Sequence, residues 1–153
     1  AIVNCGGIAN VTIITGNTTN DLIGFDTGPG NGLIDRYIKQ KTNSKEWMDA
    51  DGKYGAQGKV SESVFTKLHT QLNYFLKLNP PKSLDINDFE LIAELDSLSL
   101  EDACATLEAF TAETIAKSID HIRNNIPKFW VLAGGGWNNP VIYNELKNKN
   151  TEK

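Results

Sequence analysis

The sequence predicts a mixed α/β domain in which a small antiparallel sheet is followed by helices, one further strand and a last helix. Three observations predict it. The first 25 residues are rich in β-forming residues and are punctuated by glycine and polar turns. Apolar residues then recur at helical spacing from Leu33 onwards, and a short apolar run at residues 129–133 precedes three glycines. This order indicates a mixed sheet covered by helices.

Three short strands joined by tight turns are expected at residues 1–5, 8–15 and 22–25. Gly6-Gly7 marks the first turn, and the polar residues 16–20 mark the second. Residues 26–32 (DTGPGNG) hold three glycines and one proline, so an irregular segment is predicted there.

Five helical segments are expected after these strands, with apolar positions at residues 33–38, 64–76, 88–95, 100–124 and about 140–148. Pro80-Pro81 ends the second helix, and Ser99 with Asp102 begins the fourth as a capping box. Residues 43–60 are expected to be irregular, and residues 129–133 to form a buried strand.

The composition excludes several classes of function. With 15 Lys and Arg against 19 Asp and Glu, the formal net charge is −4, which argues against a nucleic-acid surface. No apolar run approaches the roughly 18–20 residues that span a bilayer, and no signal-peptide pattern is present. Cys5 and Cys104 lack CxxC spacing, so we expect two free thiols of a cytosolic protein rather than a zinc site.

The chain begins with Ala1-Ile2-Val3, without an initiator Met and inside a predicted strand. We therefore expect it to be a piece of a longer protein.

The first glycine motif is NCGGIANVT at residues 4–12, in which a glycine pair joins two strands. Glycines at a hairpin tip let backbone N–H groups point into one concavity, which suits phosphate oxygens. Asn10 and Thr12 offer further neutral donors. A plain β-turn is the alternative interpretation of the glycine pair.

The second motif, DTGPGN at residues 26–31, stands where a strand ends and a helix begins. Free N–H groups at the helix start predict an anion or nucleotide site, at which Asp26 could hold the water ligands of Mg²⁺ or a hydroxyl. One alternative is that Asp26 and Asn31 only cap the turn and the helix. Another is a retroviral-type aspartic protease, which requires a β-rich fold and a dimer that pairs two copies of Asp26.

The third motif is GGGWNNP at residues 134–140, between the last strand and the last helix. It differs from the GxGxxG fingerprint of dinucleotide-binding folds. Three consecutive glycines remove all side chains from one patch, on which a flat ring such as adenine could lie. A tight turn between strand and helix is the alternative.

Taken together and in this order, the three motifs resemble the anhydro-N-acetylmuramic acid kinase family. The resemblance rests on residues 4–12, 24–31 and 134–140, with support from residues 49–52, Gly58, residues 80–83 and residues 102–112. It spans nearly the whole chain.

The resemblance implies the sugar kinase/Hsp70/actin architecture, in which two ribonuclease-H-like lobes enclose ATP and Mg²⁺. It implies that residues 1–153 form the second, C-terminal lobe, incomplete at its end, and that the first lobe is absent. The cofactor-binding residues that it implies are Gly6, Gly7 and Asn10 at the phosphates, Asp26, Gly28, Gly30 and Asn31 in the cleft, and Gly134, Gly135 and Gly136 at the adenosine.

The implied reaction is ATP-dependent phosphorylation of 1,6-anhydro-N-acetylmuramic acid at its 6-oxygen, with hydrolytic opening of the anhydro ring. It is a cytoplasmic step of peptidoglycan recycling. The base that activates water is expected in the first lobe, so no catalytic residue and no metal ligand is assigned to this chain, which alone is expected to be inactive.

The expected partners are the sugar and ATP, without nucleic acid or membrane. A homodimer is expected if the edges of the lobe expose core. The alternative function is a stand-alone nucleotide-binding or interaction module without catalysis.

Overall fold

The structure is a computed structural model that describes residues 1–122 and 127–151, with side chains up to residue 149. Its strands are β1 (Ile2–Cys5), β2 (Ala9–Ile14), β3 (Leu22–Gly28) and β4 (Val131–Ala133). Its α-helices are α1 (Gly32–Lys41), α2 (Glu62–Lys77), α3 (Leu100–Ala116) and α4 (Pro140–Thr151). Between them lie short 3-10 turns.

The four described strands form one mixed sheet in the order β3-β2-β1-β4. Strand β1 pairs antiparallel with β2, with Val3 opposite Val11, and β2 pairs antiparallel with β3. Strand β4 joins the other side of β1 in the parallel direction, with Val131 opposite Ile2. The predicted meander, the mixed sheet and the α/β class are confirmed.

The prediction of an irregular segment at residues 26–32 was wrong for its first three residues. Strand β3 continues through Asp26 and Thr27 to Gly28. Asp26 pairs with Asn10, and a β-bulge next to that pair lets Gly28 pair with Ala9. Hydrogen bonds to a neighbouring strand outweigh the low strand propensity of glycine here.

One face of the sheet is buried, as the alternation of side chains along the strands requires. Val3, Cys5, Val11 and Ile13 are at most 1% exposed and pack in a cluster that includes Ile115 of α3. Helix α3 is buried on nearly all sides, with 13 of its 17 residues inaccessible. It is therefore the central helix of the fold.

The second core lies between the helices and the loops that cover them. Leu33, Ile34, Tyr37 and Ile38 of α1 are buried there, as their spacing predicted. They belong to the same cluster as Phe110 of α3.

Helices α1, α2 and α4 confirm the predicted segments, whereas two other helices were predicted wrongly. In place of a helix at residues 88–95 the chain forms 3-10 turns at Ile86–Asp88 and Ala93–Ser97, with Phe89 fully buried between them. Burial of that ring leads the backbone away from a continuous helix. Helix α3 ends at Ala116 and continues as a 3-10 turn, while residues 123–124 of the predicted helix lie outside the described residues.

The start of α3 is capped on one side only. Ser99 Oγ accepts from Asp102 N at 3.1 Å, as the capping box predicts. The Asp102 carboxylate does not accept from the Ser99 backbone N–H, as a complete capping box requires. It accepts instead from Lys59 N at 2.7 Å. It thereby fastens the irregular segment to α3.

Strand β4 lies at the edge of the sheet and is not buried, contrary to prediction. Val131 is 57% exposed, and Phe129 just before the strand is 81% exposed. An apolar run alone does not distinguish a central strand from an edge strand, because the difference depends on neighbours distant in the sequence.

Two findings bear on the class of protein. No described helix is long and apolar enough to cross a membrane. Cys5 and Cys104 are both free, as predicted, and both are buried.

Candidate functional site

A pocket of about 400 Å³ opens where the end of β1, the start of α1 and the turn after β4 meet. Residues 48–51, in the irregular segment, close its fourth side. Five of the ten residues predicted to bind the cofactor line it, namely Gly6, Gly7, Asn31, Gly135 and Gly136. The three glycine motifs, which are distant in the sequence, thus meet at one place.

The hairpin between β1 and β2 is fastened to the start of α1. Gly6 O accepts from Asn31 N at 2.7 Å, and Gly7 O accepts from Gly32 N at 3.0 Å. The expectation that the helix start presents all its N–H groups to a ligand is therefore wrong for these two donors. They hold the hairpin in place and orient its tip toward the pocket.

Two glycines of the site face open space. A Cβ atom added to Gly7 or to Gly135 would meet no atom within 4 Å. At Gly6 the nearest atom would lie 3.6 Å away, at ordinary contact distance. A ligand can approach the backbone closely at these positions, and their phosphate and adenosine roles stay predictions.

Two other glycines serve packing rather than a ligand. A Cβ at Gly28 would lie 2.7 Å from Thr114 Oγ1, and one at Gly30 would lie 2.2 Å from Gly6 O. Both residues are buried, and neither lines the pocket. The structure thus places these two predicted site residues behind the site, where Gly28 lets β3 approach α3 and Gly30 lets the segment before α1 approach the hairpin.

The triple glycine divides into two packing positions and one open position. Gly134 has φ of +93°, and its Cβ would lie 2.6 Å from the Cys5 carbonyl oxygen. A Cβ at Gly136 would lie 2.5 Å from Cys5 Sγ and 2.8 Å from Asn31 Nδ2. Only Gly135 is left with bare backbone toward open space. The tight-turn interpretation therefore accounts for the outer two glycines and leaves the middle one for a ligand.

Asn10 and Asp26 lie together, but apart from the pocket lining. Asn4 pairs with Asn10, and Asn10 pairs with Asp26, so the three form one polar row across β1, β2 and β3. Their strand neighbours are buried, so this row lies on the sheet face away from the core.

Asp26 also organises the loop that follows Pro80-Pro81. Its backbone N–H donates to Lys82 O at 3.1 Å, and its Oδ2 accepts from Leu84 N at 2.7 Å. No local pattern predicts this contact, since Asp26 and Leu84 are 58 positions apart. Asp26 Oδ1 accepts no hydrogen bond from the described residues, so one oxygen remains available.

The pocket is acidic. Asp35, Asp49 and Asp51 line it, and none of the described residues in its lining is a lysine or arginine. Burial raises the pKa of Asp35 to about 6 and, with a further contribution from Asp35, that of the Cys5 thiol to about 12. Carboxylates accept hydrogen bonds from hydroxyl and amino groups and repel bare phosphate. The lining is therefore suited to the nucleoside part of a nucleotide.

Sequence reasoning missed a buried polar cluster under this lining. Glu108 is 0% exposed, and its Oε1 accepts from Asn139 Nδ2 at 2.6 Å. A signal was present, because Glu108 is the one charged residue between Asp102 and Glu113 in an otherwise uncharged stretch.

A second pocket, of about 330 Å³, lies between β3, α2 and the turn that follows α3. None of the ten predicted residues lines it. Two of the lysines that line it already have partners. Lys82 Nζ donates to Leu76 O at 3.0 Å, and Lys117 forms an ion pair with Glu113. We therefore place the candidate site in the first pocket.

The aspartic protease alternative is wrong. It required an almost entirely β fold, whereas four α-helices account for most of the regular structure described. Asp26 is moreover engaged with Leu84.

Comparison with known proteins agrees with the motif arrangement. The family model "Anhydro-N-acetylmuramic acid kinase" matches residues 1–152. Proteins of that name from Phenylobacterium zucineum and Zymomonas mobilis are 42% and 44% identical over 146 residues, each match covering 95% of this chain. One from Synechococcus is 37% identical over 164 residues, covering 97% of this chain.

This chain spans 37%, 38% and 42% of the length of those three relatives. The mixed α/β architecture is that expected of a sugar-kinase lobe, and the match extends over all three glycine motifs. The chain therefore belongs to the anhydro-N-acetylmuramic acid kinase family.

Proposed function

We propose that the full-length protein is an ATP-dependent kinase that converts 1,6-anhydro-N-acetylmuramic acid to N-acetylmuramic acid 6-phosphate. Water adds to C1 of the sugar, the bond from C1 to the bridging oxygen breaks, and that 6-oxygen accepts the γ-phosphoryl group of ATP. ADP leaves, and a base accepts the proton of the water. In this proposal the reaction serves peptidoglycan recycling in the cytoplasm.

The observation that carries the proposal is the convergence of the three glycine motifs on one pocket. Gly135 offers a flat, bare surface for adenine, and the acidic side chains accept from ribose hydroxyls. The phosphates then extend toward the hairpin at Gly6 and Gly7, whose backbone faces open space. Asn10 and Asp26 border the path from the hairpin across the sheet.

We further propose that residues 1–153 form the second lobe of a two-lobe enzyme, with the base supplied by the first lobe. The chain would then bind nucleotide and leave catalysis to the complete protein, because phosphoryl transfer depends on positioning by both sides of the cleft. We also propose that two copies of the protein form a homodimer.

Mg²⁺ fits this site as a companion of the phosphates. Among the described residues, no three His, Cys, Asp or Glu side chains group into a metal cage. Mg²⁺ is commonly held by one or two carboxylates together with substrate phosphates, and Asp26 has an oxygen to offer. When bound, the ion neutralises charge on the phosphates.

The test uses the full-length protein with ATP, Mg²⁺ and 1,6-anhydro-N-acetylmuramic acid. Mass spectrometry should detect the 6-phosphate, and heavy-oxygen water should place its label at C1. ATP binding without any phosphorylated sugar would favour the stand-alone nucleotide-binding module instead. Absence of ATP binding would overturn both.

A further inference from the structure

A buried acidic pair lies directly beneath the pocket wall. Glu108 is 0% exposed in the middle of α3, and Asp49 is 5% exposed in the irregular segment. Asp49 lines the pocket, whereas Glu108 does not. Two carboxyl groups without a cation require an explanation, because burying charge without compensation is costly.

Glu108 fixes the side chain of Asn139 on one side of the pocket. Asn139 Nδ2 donates to Glu108 Oε1 at 2.6 Å, so its amide oxygen points the other way. That Oδ1 accepts from Val141 N at 2.9 Å and caps α4. Since Asn139 also lines the pocket, this contact positions one wall.

Asp49 positions the opposite wall. Its two oxygens accept from Tyr54 N at 3.0 Å and Gly55 N at 2.9 Å. Gly55 lies so close to Glu108 that an added Cβ would be 1.7 Å from Glu108 Oε2. The segment therefore rests on the glutamate, and glycine is the residue that allows this contact.

Glu108 Oε2 has no hydrogen-bond donor among the described residues, and the carboxyl groups of Glu108 and Asp49 lie within hydrogen-bonding reach of each other. Two carboxylates cannot both be ionised at this distance without repulsion, whereas one proton converts the contact into a hydrogen bond. Burial, followed by Asp49 and then Glu145 of α4, raises the pKa of Glu108 to about 8, against the opposing hydrogen bond from Asn139.

Among the described residues, the titratable groups that act on Glu108 are all acidic. They are Asp49 from the irregular segment, Glu145 from α4 and Cys104 from its own helix. None of the ion pairs among the described residues includes Glu108. Ionisation of Glu108 therefore adds a negative charge that no described basic side chain balances.

We propose that Glu108 is a positioning residue that, as a neutral acid, donates to Asp49 and holds both pocket walls in their nucleotide-binding arrangement. Loss of its proton separates Asp49 from Glu108 and loosens the segment that rests on it. This inference rests on the proposed function, because it assumes that the pocket binds a nucleotide.

The test measures the affinity for ATP by calorimetry in the full-length protein between pH 7 and pH 9. If only the form with a proton on Glu108 binds, and that proton leaves near pH 8, affinity falls about tenfold across this range. Glu108→Gln keeps an acceptor for Asn139 and a donor for Asp49, so its affinity should not change with pH. Glu113→Gln, on the same helix but paired with Lys117 and Lys149, should retain the wild-type profile.

The outcomes separate the two proposals. Wild-type protein that binds ATP equally at pH 7 and pH 9 would overturn the role of Glu108 and leave the proposed function standing, as would a Glu108→Gln profile that matches wild type. Absence of ATP binding at pH 7 in wild-type protein would overturn the proposed function itself. The wild-type profile decides the matter even if a variant fails to fold.

Discussion

Asn31 donates its backbone N–H to the carbonyl oxygen of Gly6 at 2.7 Å, and this contact makes the β1–β2 hairpin and the start of α1 one unit. Residues 25 positions apart thus share a hydrogen bond at the edge of the candidate site. The glycines around them divide into those that permit this approach and those that face a ligand.

Gly30→Ala should destabilise the protein, because the added Cβ would lie 2.2 Å from Gly6 O, a backbone atom that cannot move freely. We expect a loss of about 1–3 kcal/mol in the free energy of unfolding. Gly7→Ala is the matched control, since its Cβ meets nothing within 4 Å. It should leave stability unchanged while weakening ATP binding, as chemical denaturation and calorimetry would show. Equal stability of the two variants would contradict the packing role of Gly30.

Asp26→Asn should abolish most of the phosphoryl transfer in the full-length protein. Asparagine retains an acceptor for Leu84 N, so the loop after Pro80-Pro81 should stay in place. Loss of the carboxylate that we propose helps to hold Mg²⁺ at the phosphates should lower kcat by about 100-fold or more. Steady-state kinetics would measure this loss, with circular dichroism to verify the fold. Unchanged turnover would reduce Asp26 to a residue that only orders the loop.

Asp35→Asn should stabilise the protein at neutral pH but not at acidic pH. Burial raises the pKa of Asp35 from 3.8 to about 6, so the folded state holds this proton more tightly than the unfolded chain. The stability of wild-type protein therefore falls as pH rises from about 4 to about 6, and it stays lower above that range. Asparagine removes the ionisation and its cost.

Thermal unfolding at about pH 4 and about pH 7.5 would test the Asp35 prediction. The melting temperature of the variant should exceed that of wild type only at the higher pH. Asp51→Asn, which changes an exposed carboxyl in the same pocket, should leave the melting temperature unchanged at both. A gain for Asp35→Asn that is the same at both pH values would show that ionisation is not its cause.

Phe110→Ala should cost about 3–5 kcal/mol of stability, because it removes a fully buried ring from the core around α3. The ring also meets Phe65 and His69 of α2 edge-on, at centroid distances of 6.1 and 4.9 Å. Chemical denaturation of the variant and wild type would measure the difference. A loss below about 1 kcal/mol would contradict the central position of α3.

Sequence patterns predicted those helices whose position depends on nearby residues. Apolar spacing located α1 and α2, and Pro140 located the start of α4. The pattern misled where distant contacts decide, as at Asp26, whose strand pairing with Asn10 outweighs the adjacent glycines. Phe89 ended a predicted helix in a similar way, since its burial depends on the cluster around it.

The candidate site was predictable in part for the same reason. Glycine motifs indicate bare backbone, and Gly7 and Gly135 do face open space. The sequence does not distinguish them from Gly28 and Gly30, because only the folded chain brings Thr114 and the hairpin against those two. Glu108 left a clearer trace, as the one charged residue between Asp102 and Glu113 in a deeply buried helix.

Strand β4 has β1 on one side and no described strand on the other. Its outer row of backbone donors and acceptors lies beside the exposed side chains of Val131 and Phe129. Such an edge is a template for strand addition from another chain, which proteins commonly prevent with a charged side chain. Preparations of this chain should therefore aggregate with rising concentration, and Val131→Lys should suppress the growth of light scattering.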